Sequence, residues 1–279
     1  MQQGNADRPI GMFDSGFGGL TVARAVIDLL PREGLVYIGD TARYPYGSKP
    51  LGEVRRYAQE LAHSLIDDYG VKALVVACNT AAAALPVDEL ERELGVPVLG
   101  VVEPGARSLV HATRNGRVGV IGTVGTIGSG AYPRAVHATG ADVTLTCAAC
   151  PGFVEFVERG QTGGDEVMVL AERLLAPVVE ADVDTLLLGC THYPFLARVI
   201  ADVMGPDVVL VSSADETAFA LAALLDRLGL RSTRSGPGGQ EFLSSGDASW
   251  FVETGQRLLG PELVTARRWV HDPIRRPTS

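Results

Sequence analysis

Short runs of Val, Leu, Ile and Ala alternate along this chain with longer amphipathic stretches, and glycine- or serine-bearing turns separate them. Continuous apolar runs of four to six residues read as strands buried on both faces, and the stretches with a 3.6-residue period read as helices covering them. The pattern predicts strands at Pro9–Phe13, Leu35–Gly39, Ala73–Ala77, Val96–Val101, Val118–Ile121, Val143–Thr146, Thr185–Leu188 and Val208–Val211. It predicts helices at Leu20–Leu30, Gly52–Tyr69, Ala81–Leu94, Pro104–Ala112, Ala131–Ala138, Asp165–Val179, Pro194–Met204 and Glu216–Leu228. Alternation of this kind is the signature of an α/β fold with parallel sheets.

The pattern also repeats. Val71 to Thr80, ending in Cys78-Asn79-Thr80, resembles Val183 to His192, ending in Cys190-Thr191-His192, and the two cysteines stand 112 residues apart. A weaker echo relates Ile10–Gly16 to Val118–Val124. The same strand–turn–helix units recur in the same order. Two similar α/β domains are therefore expected, each a mainly parallel sheet flanked by helices, related by a pseudo-twofold with a cleft between them. Beyond residue 211 come a helix, the glycine-rich stretch Ser232–Gly239, one more short strand and a helix near Ser249–Leu258. This segment is expected to cross back to the first domain. The first domain then comprises residues 1–102 and 212–279, and the second residues 103–211. The polar, proline-bearing tail Asp272–Ser279 is expected to fray.

Composition narrows the function. A formal charge of −9 argues against a general nucleic-acid or membrane-surface binder. Residues Met1 to Pro9 are polar and lack the apolar core of a signal peptide, and no apolar run reaches the roughly 20 residues of a membrane span. A cytoplasmic protein with no membrane association is expected, its four cysteines reduced.

In an open α/β sheet, ligands bind beyond the carboxyl ends of the strands. Polar turns leave strands there at Asp14-Ser15-Gly16, Asp40-Thr41, Cys78-Asn79-Thr80 and Cys190-Thr191-His192. A helix follows each cysteine turn, with Thr80 placed as an N-cap and Pro194 at a first helical position. The unpaired N–H groups of a helix start favour a carboxylate ligand and are expected to lower a thiol pKa from about 8.5. A lone cysteine is usually core filler. Two at matching points of a repeat are not so easily explained. Inverting a stereocentre needs one group to remove a proton from one face and another to return a proton to the opposite face.

Plainer readings stand beside this one. Asp14 could act as a helix cap, although Ser15 already suits that place, and Asp40 is assigned to its turn. His63, His111, His137 and His271 are read as surface or satisfied core groups. Cys147 and Cys150 have Cys-x-x-Cys spacing but no second ligand pair, so they are read as packing residues and no metal is expected. No Gly-x-Gly-x-x-Gly stands between a strand and a helix, which argues against a dinucleotide. Neither lysine, Lys49 or Lys72, lies on a candidate turn that could hold pyridoxal phosphate.

Phe13-Asp14-Ser15-Gly16-Phe17-Gly18-Gly19-Leu20, Asp40 to Gly47, Ala77-Cys78-Asn79-Thr80, Gly122-Thr123 with Thr126, Cys150-Pro151 with Val157-Glu158, and Gly189 to Pro194 together resemble the motif set of the glutamate racemases, in that family's order. The resemblance implies a two-domain fold, no cofactor, and interconversion of L- and D-glutamate for peptidoglycan by a cytoplasmic homodimer. It implies that Cys78 deprotonates the D-isomer and Cys190 the L-isomer. Asp14 would sit by Cys78 and the substrate ammonium, while His192 and Glu158 would assist Cys190. Ser15, Tyr46, Gly47, Asn79, Thr80, Thr123, Thr126 and Thr191 would line the substrate, most of them holding its carboxylates. Glu155 stands where the family often has proline and offers a second carboxylate near Glu158. An aspartate racemase is the nearest rival, and the Tyr46-Gly47 loop and the Cys190 turn favour glutamate. A two-lobed amino-acid-binding protein of the transport type would share the cleft. It would be expected to carry an export signal and would have no need of matched cysteines.

Overall fold

The computed structural model describes residues 5–270. His271 and the tail Asp272–Ser279 lie outside the described residues.

The first half of the chain runs β1 (Ile10–Asp14), α1 (Leu20–Leu29), β2 (Leu35–Gly39), α2 (Leu51–Asp67), β3 (Ala73–Val76), α3 (Asn79–Ala84), α4 (Val87–Leu94) and β4 (Val98–Gly100). It continues through α5 (Val102–Ala112), β5 (Arg117–Gly122), α6 (Val124–Gly128), α7 (Ala131–Ala138), β6 (Thr144–Ala149), α8 (Phe153–Glu158), α9 (Asp165–Glu180) and β7 (Thr185–Gly189). A 3-10 turn at Tyr193–Leu196 leads into α10 (Ala197–Met204), followed by β8 (Val209–Ser212), α11 (Ser213–Leu228), β9 (Gln240–Ser244), α12 (Ala248–Leu259) and β10 (Arg267–Arg268).

Two parallel sheets result. The first has the order β10-β9-β2-β1-β3-β4 and the second β6-β5-β7-β8. Leaving aside β9 and β10, the orders are the same, with β1, β2, β3 and β4 matching β5, β6, β7 and β8. The two cysteine turns follow β3 and β7, at corresponding ends of corresponding strands. In each sheet the order reverses between the first strand and the third, where a crevice opens at the carboxyl ends. Asp14 ends β1 at one crevice, and Gly122 ends β5 at the other, paired with Gly189. The central strands β1, β2, β3 and β7 are buried along their whole length, which is why their sequences are uninterrupted apolar runs.

The elements depart from the sequence reading where local chemistry intervenes. The helix expected over Ala81–Leu94 is two helices. Pro86 forces Leu85 out of the helical region, to φ −98° and ψ 131°, so α3 ends and α4 starts afresh. The short helices α6 and α8 were not anticipated, being too brief to show a period. Pro194 lies in a 3-10 turn rather than at the start of an α-helix. The segment after β8 returns to the first sheet, where β9 pairs with β2 and β10 with β9. Helix α11 packs against both α1 and α5. Apolar residues of both sheets, among them Val75, Val76, Val118, Val120 and Leu187, share one continuous core.

Candidate active site

The first cysteine turn is held by the pairing of β1 and β3. Ala77 N–H donates to the Phe13 carbonyl at 2.9 Å, which carries Cys78 alongside Asp14. Asp14 is fully buried and its Oδ2 accepts the Gly16 N–H at 2.8 Å. Burial pushes its carboxyl up to about 6, while hydrogen bonds from the Gly16, Gly19 and Ser15 amides and from the Cys78 thiol hold it from going further. Asp14 therefore organises the β1–α1 turn, and no side chain caps α1.

The second turn carries Cys190, Thr191 and His192, all buried. Cys190 Sγ lies 3.9 Å from His192 Nδ1, and His192 Nε2 lies 3.5 Å from Glu158 Oε1. Glu158 is the last residue of α8 and Glu155, one turn earlier, is exposed. The carboxylate beside His192 is thus Glu158. Burial lowers His192 to about 4 and raises Glu158 to about 8, the charge of Asp14 adding to the second effect. At neutral pH the imidazole is neutral and Glu158 mostly holds its proton.

The helix starts do not lower the thiols. Burial, followed by the charge of Asp14, pushes Cys78 up to about 12, and burial raises Cys190 well above its ordinary value. A helix terminus contributes only roughly 0.3–1 kcal/mol, less than the cost of ionising a thiol shut away from water. Desolvation wins, and both cysteines rest as thiols. Cys78, Asp14 and Glu158, whenever ionised, each oppose ionisation of Cys190, so these groups from both sheets share one site.

Between the thiols the two halves touch closely. Thr80 is not an N-cap: Cys78 occupies that position, and the Thr80 hydroxyl lies 3.0 Å from Thr123 Oγ1 and 3.1 Å from Thr126 Oγ1. Thr123 itself caps α6 through the Thr126 N–H at 3.2 Å. The Gly47 carbonyl accepts the Gly125 N–H at 2.9 Å, and a β-carbon at Gly47 would meet Thr123 at 2.7 Å. A β-carbon at Gly18 would meet Thr191 Oγ1 at 2.2 Å and His192 Nδ1 at 2.6 Å. Ser15 is buried beside Cys78 and hydrogen bonds to its sulfur.

Tyr46 is fully buried on the loop that leads to Gly47. Its hydroxyl donates to Asp40 Oδ2, and its carbonyl accepts the Lys49 N–H at 3.0 Å. Asp40 does more than shape its own turn: it also accepts from Arg43 Nε and from Ser245 Oγ, each at 2.7 Å. It fixes the loop that carries Gly47. Tyr132 on α7 was missed as well. Its hydroxyl donates to Asn79 Oδ1 at 2.5 Å. A single aromatic in a helix gives no signal in sequence, whereas Asp40 at a strand end did give one.

Four buried side-chain atoms at this site have no hydrogen-bond partner among the described residues: Asp14 Oδ1, Asn79 Nδ2, His192 Nε2 and Glu158 Oε1. A cavity of about 200 Å³ lined by Phe17, Glu158, His192, Phe195 and Arg257 opens beside the last two. Unspent polar atoms of this kind call for a polar ligand. Donors and thiols on both sides of a cleft suit proton removal on one face of an anionic molecule and delivery on the other.

Cys147 is half-buried on β6. Cys150 is buried, and its carbonyl accepts the Tyr193 hydroxyl at 3.0 Å. Burial raises their thiols to about 11 and about 12. His63 pairs with Glu93 at 2.9 Å, and His111 and His137 are exposed. Among the described residues no three His, Cys, Asp or Glu side chains are disposed to hold a metal ion.

A family model described as Asp/Glu/Hydantoin racemase matches residues 19–234. A glutamate racemase from Acidothermus cellulolyticus is 54% identical over 256 residues, 91% of this chain and 96% of that protein. Among solved structures, a glutamate racemase isoform from Bacillus anthracis superposes with a TM-score of 0.88 at 40% identity, covering 95% of this chain and 98% of the other. A glutamate racemase from Francisella tularensis in complex with D-glutamate gives a TM-score of 0.88 at 32% identity, covering 96% and 99%.

Proposed function

The chain belongs to the Asp/Glu/hydantoin racemase family, among its glutamate racemases, and from that premise we propose that Cys78 and Cys190 invert glutamate from opposite faces of its α-carbon. The observation that carries the reading is the placement of the two thiols at matching strand ends of two like sheets, each beside its own proton acceptor. With D-glutamate, the Cys78 thiolate takes the α-proton and the Cys190 thiol delivers one to the other face. With L-glutamate the roles exchange. Each thiolate must first be made. Asp14, ionised above about pH 6, accepts the Cys78 proton, and the substrate ammonium next to it favours the resulting charge. Neutral His192 accepts the Cys190 proton at Nδ1 and becomes an imidazolium, whose Nε2–H faces the carboxyl oxygen of Glu158. Asn79, Thr80, Thr123, Thr126, Thr191, Ser15 and the Tyr46-Gly47 backbone hold the two carboxylates.

The reaction needs no group beyond these side chains. We place the product in peptidoglycan synthesis and the enzyme, as a homodimer, in the cytoplasm. No helix among the described residues is long and apolar enough to cross a membrane. We divide the chain so that α5 through β8 form one domain and the remaining elements the other.

The test uses purified protein with nothing added. Circular dichroism of D-glutamate should decay, with deuterium entering Cα in heavy water. Cys78→Ser and Cys190→Ser should each lower racemisation by at least ~10²-fold, the lower end for loss of a general base. Elimination from a β-substituted analogue should survive for the D-isomer when Cys78 remains and for the L-isomer when Cys190 remains. A serine variant that racemises within a few fold of wild type would show that its cysteine is only packing.

A further inference from the structure

We propose that Tyr132 is a positioning residue for the reaction: its phenol sets which way the Asn79 amide faces and so prepares the carboxylate-binding group next to Cys78. The inference rests on the reading of Asn79 as a holder of substrate carboxylate.

Tyr132 lies on α7, packed on the second sheet, and is fully buried. Its ring lies against the turn into Cys190: a β-carbon at Gly189 would sit 2.9 Å from Tyr132 Cε2. Its hydroxyl reaches the other half of the site, where it donates to Asn79 Oδ1 at 2.5 Å. One rigid side chain therefore touches the residue before Cys190 and the residue after Cys78.

The chemistry of the contact decides the orientation of the amide. An asparagine side chain has one accepting end and one donating end, and its two orientations occupy the same space. A phenol carries one proton, and the Tyr132 hydroxyl bonds only to Asn79 among the described residues. Were the amide turned over, that buried proton would lose its acceptor, which costs more than the bond itself gains in water. The phenol thus holds Oδ1 and leaves Nδ2 with no partner at a site made for anions. Without the phenol, either end of the amide could face the substrate, and the oxygen would repel a carboxylate.

A hydrogen bond that only anchors a carboxylate is made equally in the ground and transition states, so its loss should appear mainly in KM. Tyr132→Phe removes one oxygen and keeps the ring on Gly189, so the fold should be retained. The expected result is a rise in KM of about three- to tenfold for both enantiomers, the range for loss of one buried hydrogen bond, with kcat changed less than about twofold. Asn79→Ala should raise KM at least as much. In the Asn79→Ala background, Tyr132→Phe should then add nothing, because its only route to the substrate is gone. If Tyr132→Phe leaves KM unchanged, the proposal is overturned. It is also overturned if the same factor appears in both backgrounds, since Tyr132 would then act by packing under Gly189. If Asn79→Ala alone leaves KM unchanged, the carboxylate reading of Asn79 fails first, and the single variant reports this separately.

Discussion

Five ionisable side chains share this cleft, and burial is the largest influence on each of them. Glu158 gives the clearest consequence. Folding raises its pKa from an ordinary 4.5 to about 8, so the folded state holds a proton that the unfolded state has released throughout that window. Where the native state binds more protons, stability falls as pH rises. Glu158→Gln has no proton to lose. The variant should match the wild-type melting temperature near pH 4.5, exceed it by a margin that widens up to pH 8, and hold that margin above. Thermal melts of both proteins from pH 5 to 9 would test this, and a constant difference would show that Glu158 is not held neutral. At this scale the cysteines, Asp14 and His192 were legible, because they sit on turns that end apolar runs. Their protonation states were not. The sequence indicates a helix start after each thiol, which lowers a pKa, but it does not show how completely the surrounding apolar residues exclude water. Glu155 and Glu158 were likewise indistinguishable until the single turn of α8 put one against His192 and the other into solvent.

The turn between β1 and α1 shows what one element contributes to the other half of the site. Gly18 does not need a left-handed backbone, and it is required because the Cys190 turn comes so close. Alanine there should leave the turn intact in isolation but push Thr191 and His192 away, parting His192 from Cys190. Misplacement by about 1 Å can cost ~10²-fold in rate. Gly18→Ala should therefore lower kcat/KM by about ten- to a hundredfold. The melting temperature should change little, because the displaced groups lie at the cleft rather than in the core. Steady-state kinetics beside a thermal melt would test this. A variant with full activity would mean that the two turns need not meet in the working enzyme. Long elements such as α2 and α9 were readable from their period. Brief ones were lost: α6 and α8 are a turn or so long, and the break between α3 and α4 depends on Pro86 alone.

Over the whole molecule, the repeat seen in sequence became two sheets of like strand order. The return of the chain after β8 to the edge of the first sheet has no counterpart in the second half, so no echo could reveal β10 or fix where β9 pairs. Two α/β domains joined in this way could unfold separately, since interfaces between domains are usually modest. Here the joint is made of core. Val118, Val120, Tyr132 and Leu187 belong to the same apolar cluster as Leu74, Val75 and Val76, and α11 packs on a helix from each half. Melting either sheet would expose the apolar surface that the other needs. Calorimetry should accordingly give one transition, with calorimetric and van't Hoff enthalpies equal per cooperative unit. Two resolved transitions would instead mean that the halves are independent and that the contact across α11 is weak. The distinction bears on function. The two thiols are borne by different sheets, so their separation is set by the stiffness of this shared core. A molecule whose halves melt together would hold Cys78 and Cys190 at a constant spacing, which the proposed two-thiol reaction requires.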